Sequence, residues 1–213
     1  VAGVRTKAVR DGDEWVVDGG KRFITNGGHA DFYVVVTRTG QPGARGISLL
    51  YAEGDREGLD VVRFESKMGL HGSATAELTF TGLRVPADHV IGPVDGGFGL
   101  LMRGLDEGRV VVAAMSTGLA DAALAHAASY ALARKQFGQT VAEFQGIQFM
   151  LADMAIAVRA ARSLTFDAAH ALIHDHGDAA LLASVAKTVA SDASLAVASD
   201  AVQIHGGYGY VDD

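Results

Sequence analysis

The chain has no cysteine. Disulfides, thiolate nucleophiles and thiolate metal sites are therefore excluded, and the composition fits a reducing, cytoplasmic setting. No apolar run of about eighteen residues is free of charge, so no transmembrane helix is read and no membrane partner is expected. A basic block is also missing. Lys and Arg number 18 against 25 Asp and Glu, a formal charge of −7, which argues against nucleic acid as a partner. No repeat of about 20–50 residues is visible. The chain opens Val1-Ala2-Gly3, with neither an initiator Met nor the basic-then-apolar pattern of a signal sequence. That start is expected to be internal to a longer chain.

What is present falls into two halves with different periods. Residues 1–94 read as a β domain. Glu14–Val17, Phe32–Thr37, Gly46–Leu50 and Leu78–Phe80 are rich in Val, Thr, Leu and aromatics. Turn signals at Asp11-Gly12, Asp18-Gly19-Gly20, Asn26-Gly27-Gly28, Gly40–Gly43 and Gly54-Asp55 separate them. Turns recurring about every ten residues predict an antiparallel sandwich or barrel. Pro93 and Gly96-Gly97 mark a boundary, and residues 95–213 read as an antiparallel helical bundle. Helices are predicted over 98–135, 143–174 and 179–205. In the second, Ile147, Leu151, Met154 and Val158 share one face. Alanine dominates all three, which favours helix and close packing. Bundles usually close with four helices, so the three seen here predict an open bundle and a chain that continues. The fold class is α+β.

The stretch Tyr130 to Gln145, YALARKQFGQTVAEFQ, joins the first two helices. Arg134 and Lys135 are expected in the last turn of the first helix, with Phe137-Gly138 breaking it and Gln145 early in the next. Guanidinium binds phosphate oxygens in a fork, and an exposed ring packs against the remainder of a ring-bearing anion. The alternative is that two cations complement a helix C-terminus while Phe137 staples the turn.

Several motifs, in order along the whole chain, resemble those of the acyl-CoA dehydrogenases. Residues 21–31, KRFITNGGHAD, resemble the flavin-flanking strand, and 67–69, KMG, with Ser73 and Thr75, the next marker. Val85-Pro86 matches the strand end leading to the bundle, and LDEGR at 105–109 the substrate-pocket helix. RKQFG at 134–138 and EFQGIQFMLADM at 143–154 resemble the flavin-diphosphate hairpin, and DAVQIHGGYGY at 200–210 the last glycine-rich motif.

The resemblance implies FAD as cofactor and an acyl-CoA thioester as substrate. The implied reaction is α,β-dehydrogenation to the trans-2-enoyl-CoA, with hydride passing to flavin. It further implies a homotetramer built as a dimer of dimers and an electron-transferring flavoprotein as acceptor. Phe23, Ile24 and Thr25 would line the flavin ring, with Phe23 and Thr25 on one face of the strand. Arg134, Lys135, Gln136 and Phe137 would reach the diphosphate of a neighbouring subunit's cofactor, helped by Phe144 and Gln145. Gln203, Ile204, His205, Gly206 and Gly207 would meet the cofactor through backbone, with a glycine helix cap as the compatible plain reading. Ser73, Asp106 and Arg109 would contact the acyl-CoA. Ala74 stands where the family often has an acid.

No catalytic residue is assigned in this chain. The Glu-Gly-Thr motif that holds the base in medium- and short-chain members is absent. Members such as isovaleryl-CoA dehydrogenase place the base directly before the pocket-helix arginine. That position is Gly108 here, and Glu107 lies about 100° round the helix. The base is expected beyond Asp213, and this segment alone is expected to be inactive. His170 and His174 have a metal-capable spacing, with His176 nearby, but a solvated helix end accounts for them and no metal is assigned. Two alternatives share the fold. One is a flavin oxidase or monooxygenase, the other a non-catalytic flavin-binding relative.

Overall fold

The structure, a computed structural model, describes residues 2–211. The chain divides into two compact units, one ending at Met102 and the other starting at Arg103.

The first unit is one seven-stranded sheet. Its strands are β1 (Lys7–Asp11), β2 (Glu14–Thr25), β3 (Phe32–Arg38), β4 (Ile47–Glu53), β5 (Leu59–Phe64), β6 (Thr75–Pro86) and β7 (Val90–Ile91). They lie in the order β5-β6-β2-β1-β3-β4-β7. Every ladder is antiparallel except the short β1–β3 pairing at Lys7 and Arg38. Cα atoms of β4 come within 8 Å of β6 although three strands separate them, so the sheet curls around its own core instead of stacking on a second sheet. Val17, Leu50, Leu78, Leu83 and Val85 fill that core. Neither β1 nor β5 carries an alternating apolar signal. β1 buries only Ala8 and β5 is almost wholly exposed, so both rest on ladder hydrogen bonds.

One expected turn is not a turn. Asp18-Gly19-Gly20 lies inside β2, where the register against β6 slips between Val17 and Gly19. Gly19 has φ +139°, and a Cβ there would stand 2.8 Å from Thr6 Cα. The glycine permits a bulge pressed against a neighbouring backbone. The bulge resets the alternation, so that Ala76, Leu78 and Phe80 on one side of it and Leu83 and Val85 on the other all face inward.

Helix α1 (Gly97–Ala133) begins in the first unit. Its entry is pinned by polar contacts: Ser48 Oγ accepts from Asp95 N at 2.8 Å, and Thr39 Oγ1 donates to Asp95 Oδ1 at 2.6 Å. Gly97 sits against Leu49, and Leu100 packs over Gly92. This anchoring carries the unit boundary to Met102, inside the helix and past the glycine pair.

The second unit contains the remainder of α1, α2 (Gln145–Ile173) and α3 (Ala179–His205), with the hairpin β8 (Lys135–Gln136) and β9 (Gln139–Thr140) between α1 and α2. The interior is mostly alanine. Ala120, Ala127 and Ala131 of α1 meet Met154 and Val158 of α2 and Val197, Ala201 and Ile204 of α3. Ile147 and Leu151 border the same cluster, as their shared face predicts. Small side chains let α2 and α3 approach closely, and a buried polar contact between α1 and α2, Thr117 Oγ1 to Thr165 Oγ1 at 3.3 Å, is satisfied. By length and composition, Gly97–Ala133 and Ala179–Gly209 are apolar enough to cross a membrane. Each is interrupted by charge, Asp106 and Arg109 in one and Lys187 and Asp192 in the other.

Candidate functional site

Helix α1 stops at Ala133, so Arg134 and Lys135 do not lie in its last turn. Arg134 N still donates to Tyr130 O at 2.8 Å, but the chain then turns into β8. Gly138 at the tip permits the tight turn that follows. Phe137 and Gly138 both have positive φ, +53° and +84°, between the paired residues Gln136 and Gln139. A two-residue hairpin turn with both central φ values positive is the type I′ geometry, which favours Asn-Gly. Phenylalanine in that position is strained, and its ring is 93% exposed. The Phe137 ring meets Phe144 edge-on at 6.4 Å.

The far side of the hairpin is locked by Thr140 and Glu143. Glu143 Oε2 accepts from Thr140 N at 2.6 Å and from Thr140 Oγ1 at 2.9 Å, a capping box ahead of α2. The backbone and side-chain hydrogen bonds from Thr140 hold the Glu143 carboxyl below the usual carboxylate range. The Thr-x-x-Glu spacing at 140–143 signals this box.

Helix α3 ends at Gly206, with φ +59° and ψ −129°, a conformation closed to residues bearing a Cβ. Its N–H bonds back to Gln203 O and Val202 O. The helix-cap reading of the glycine motif therefore holds, and it also leaves the backbone of Gly207 open: a Cβ there would meet nothing within 4 Å.

These two chain ends converge on one cleft of about 610 Å³. Arg134 and Gln136 line it from the hairpin, and Ile204, His205, Gly206 and Gly207 from the end of α3. Tyr130 and Tyr208 complete it, and the motif reading missed both. Tyr208 was legible within the repeated Gly-Tyr at 206–210. The Arg134 guanidinium lies 5.6 Å from the centre of the Tyr208 ring, a cation–π distance. Tyr130 stacks on His205 at 4.4 Å. Among the described residues Arg134 and Lys135 have no carboxylate partner. A free guanidinium, flat aromatic faces and exposed glycine backbone suit an anion that carries a ring. Lys135, Phe137, Phe144, Gln145 and Gln203 lie near the cleft in sequence but do not line it.

The remaining candidates form separate groups. In the first unit, the β2–β6 register slips again between Lys21 and Ile24, and Phe23 has φ +57°. Ile24 packs on the core while Phe23 and Thr25 are exposed on either side of it. The Arg22 guanidinium caps the Phe23 ring at 5.3 Å. Ser73 closes the loop before β6. Its N donates to Leu70 O at 3.0 Å, and its carbonyl accepts from Lys67 Nζ, which also donates to Thr75 Oγ1 at 3.0 Å. Lys67 is thus the residue that shapes the KMG marker.

Asp106 and Arg109 pair with each other along α1, as the plain helix-surface reading expects. Asp106 and Glu107 also border a groove with Arg103, Asp175 and His176. The rings of His170, His174 and His176 are 4.3–6.2 Å apart. Among the described residues no group of three His, Asp or Glu is placed to hold a metal ion.

Residues 1–83 match the acyl-CoA dehydrogenase middle domain and residues 95–213 the acyl-CoA dehydrogenase C-terminal domain. Mitochondrial isobutyryl-CoA dehydrogenase of Bos taurus is 43% identical over 212 residues, which is 100% of this chain and 51% of that protein. The solved structure of butyryl-CoA dehydrogenase from Megasphaera elsdenii superposes with a TM-score of 0.95 at 42% identity, covering 99% of this chain and 55% of that one. A chain in a structure of the electron transferring flavoprotein of Acidaminococcus fermentans gives a TM-score of 0.95 at 43% identity, with 99% and 55% covered. The chain thus spans about half the length of the relatives it matches.

Proposed function

The chain belongs to the acyl-CoA dehydrogenase family, and from that premise we propose that it is the middle and C-terminal part of an FAD-dependent acyl-CoA dehydrogenase. The reaction is removal of the α and β hydrogens of an acyl-CoA thioester to give the trans-2-enoyl-CoA. The observation that carries the reading is the cleft where Arg134 and Gln136 of the RKQFG motif meet His205–Gly207 of the glycine-rich motif. Two motifs about seventy residues apart converge there, and each is one that the resemblance ties to the cofactor.

The cleft fits a flavin dinucleotide. Arg134 is free to fork onto a diphosphate, and the glycine backbone at 206–207 admits close approach. Phe137, strained and exposed at the hairpin tip, packs against the nucleotide or the subunit that carries it. Phe23 and Thr25, exposed beside the β2 bulge, flank the flavin ring. When bound, FAD supplies the hydride acceptor. The residues of this chain bind, orient and exclude water. In the second unit Arg109, paired with Asp106, contacts the acyl-CoA; in the first unit Ser73 is a second candidate contact. An α proton beside a thioester needs a carboxylate base in a dry pocket. Gly108 occupies the base position on the pocket helix and no Glu-Gly-Thr motif is present, so the base comes from outside these residues.

By the family resemblance the hairpin reaches a neighbouring subunit's cofactor in a homotetramer and an electron-transferring flavoprotein is the acceptor; the likeness to a chain in a structure of such a flavoprotein supports the second. The deciding experiment is anaerobic bleaching of flavin absorbance in the complete protein by saturated acyl-CoAs of graded length. Bleaching, followed by recovery on adding oxidised electron-transferring flavoprotein, is the expected result. Rapid recovery with oxygen alone identifies an oxidase. No bleaching by any acyl-CoA overturns the reading.

A further inference from the structure

Phe23 is not held by the core of its sheet. It sits in the second β2–β6 register slip with φ +57°, and its ring is 66% exposed. An exposed ring without a fixed neighbour turns about its side-chain bonds. Here the Arg22 guanidinium lies over the ring, 5.3 Å from its centre, within the range of a cation–π contact.

Arg22 is itself part of a closed charge network. Its guanidinium lies 3.6 Å from Glu77 and 3.8 Å from Glu65. Arg63 of β5 shares the same two carboxylates at 3.2 Å and 3.3 Å. β5, β6 and β2 are neighbours in the sheet, so the network crosses three strands and ties the Phe23 segment of β2 to the other two. Isolated surface pairs hold little, because water and salt screen them. The two carboxylates here are only 20% and 27% exposed, and each is shared by two cations. Arg63 makes the shorter contacts and keeps both carboxylates in place. The Arg22 contacts are longer than hydrogen bonds, so charge sets the position of its guanidinium over the ring. Two cations and two carboxylates cancel, so the group is built to position a side chain and not to attract an anion.

We propose that Arg22 is a positioning residue for the flavin-flanking ring of Phe23, clamped over that ring by Glu77 and Glu65, with Arg63 holding the two carboxylates. The proposal rests on the FAD reading above. It adds that the aromatic contact to the flavin is set by an ion network across the outside of the sheet, where apolar packing does not reach.

The test uses the complete protein and two readouts. One is the FAD dissociation constant from flavin fluorescence. The other is the visible circular dichroism of bound flavin, which reports a fixed environment around the ring and which a loss of fold stability alone does not alter. Arg22→Gln is expected to weaken FAD binding about two- to fivefold, the fold-change that an exposed cation–π contact is worth, and to reduce the flavin dichroism. Arg22→Lys keeps a cation over the ring and is expected to restore most of both. Replacing Glu65 and Glu77 together by Gln removes the clamp and is expected to match Arg22→Gln. Phe23→Leu removes the ring, and adding Arg22→Gln to it is expected to change neither readout further, since a residue that acts only through Phe23 has nothing left to position. Additive losses in that double variant, no rescue by lysine, or wild-type readouts in Arg22→Gln or in the double glutamine variant overturn the proposal while the flavin-flanking place of Phe23 stands. If Phe23→Leu leaves both readouts unchanged, that place is wrong and the proposal falls with it. If the wild-type protein binds no FAD, the cofactor reading itself fails.

Discussion

Lys21 Nζ donates to the Val36 carbonyl at 2.7 Å, joining β2 to β3 beyond the end of the strand that separates them. β1 pairs with β2 only as far as Lys7 opposite Asp18, so past that point the sheet has a gap. Lys21 stands opposite the buried Leu78 and therefore points to the core side, where its ammonium spans the gap. Burial pushes its pKa down.

Replacing Lys21 with Met is expected to destabilise the protein by about 1–3 kcal/mol, because the Val36 carbonyl loses its donor. The pH dependence has a definite sign. A folded-state pKa below the unfolded one means that the unfolded chain binds the proton more tightly, so wild-type stability rises as pH climbs through the folded pKa towards the unfolded lysine range. The gap between wild type and Lys21→Met should widen between about pH 7 and about pH 10. Urea unfolding at the two pH values measures it. A constant gap would show that the lysine is not desolvated.

The Glu143 capping box predicts a dependence of the same sign, stability rising with pH, but in the acid range. Its carboxyl is held low by Thr140, so its contribution is complete above the unfolded carboxylate pKa and is lost as pH falls through the depressed folded value. Glu143→Gln should loosen the hairpin and reduce flavin retention at neutral pH, while leaving retention at strongly acid pH close to wild type. Flavin-to-protein absorbance ratios after gel filtration at each pH provide the check.

Phe137 tests whether strain is retained for binding. Asparagine is the preferred residue at the first central position of this turn. Phe137→Asn is therefore expected to keep or raise the melting temperature while lowering flavin content and oligomer mass. A variant that melts higher and keeps its flavin would make Phe137 a plain turn residue.

Much of this was legible in the sequence, for identifiable reasons. The α1–α2–α3 boundaries follow alanine periodicity and glycine breaks, which are local signals. Ile147, Leu151, Met154 and Val158 share a core because helix geometry alone relates them. The β domain was less legible. The glycine pair in Asp18-Gly19-Gly20 reads the same whether it makes a turn or a bulge, and only the approach of Thr6 to Gly19 distinguishes them. Phe23 lies in a second register slip, between Lys21 and Ile24, that no spacing rule announces. In the cleft, the motifs marked Arg134 and His205, but Tyr130 and Tyr208 enter through packing between the ends of α1 and α3. That pairing is set by tertiary structure.

Arg134 provides the sharpest test of the cleft as a cofactor site. Its guanidinium both covers the Tyr208 ring and faces the open space beside Gly206 and Gly207. Lysine matches its charge but neither the flat stack on tyrosine nor the forked donor pair. Arg134→Ala and Arg134→Lys are both expected to weaken FAD binding about tenfold or more, in line with the loss of a charge-assisted contact. The folded state should change little, since Arg134 is exposed and free of ion pairs among the described residues. If the hairpin reaches a neighbouring subunit's cofactor, tetramer mass should fall together with flavin content, and added FAD should restore both by mass action. Flavin titration with multi-angle light scattering follows the two quantities at once. Full rescue by lysine would show a simple point charge. Unchanged flavin content in both variants would return Arg134 to a role at the end of α1.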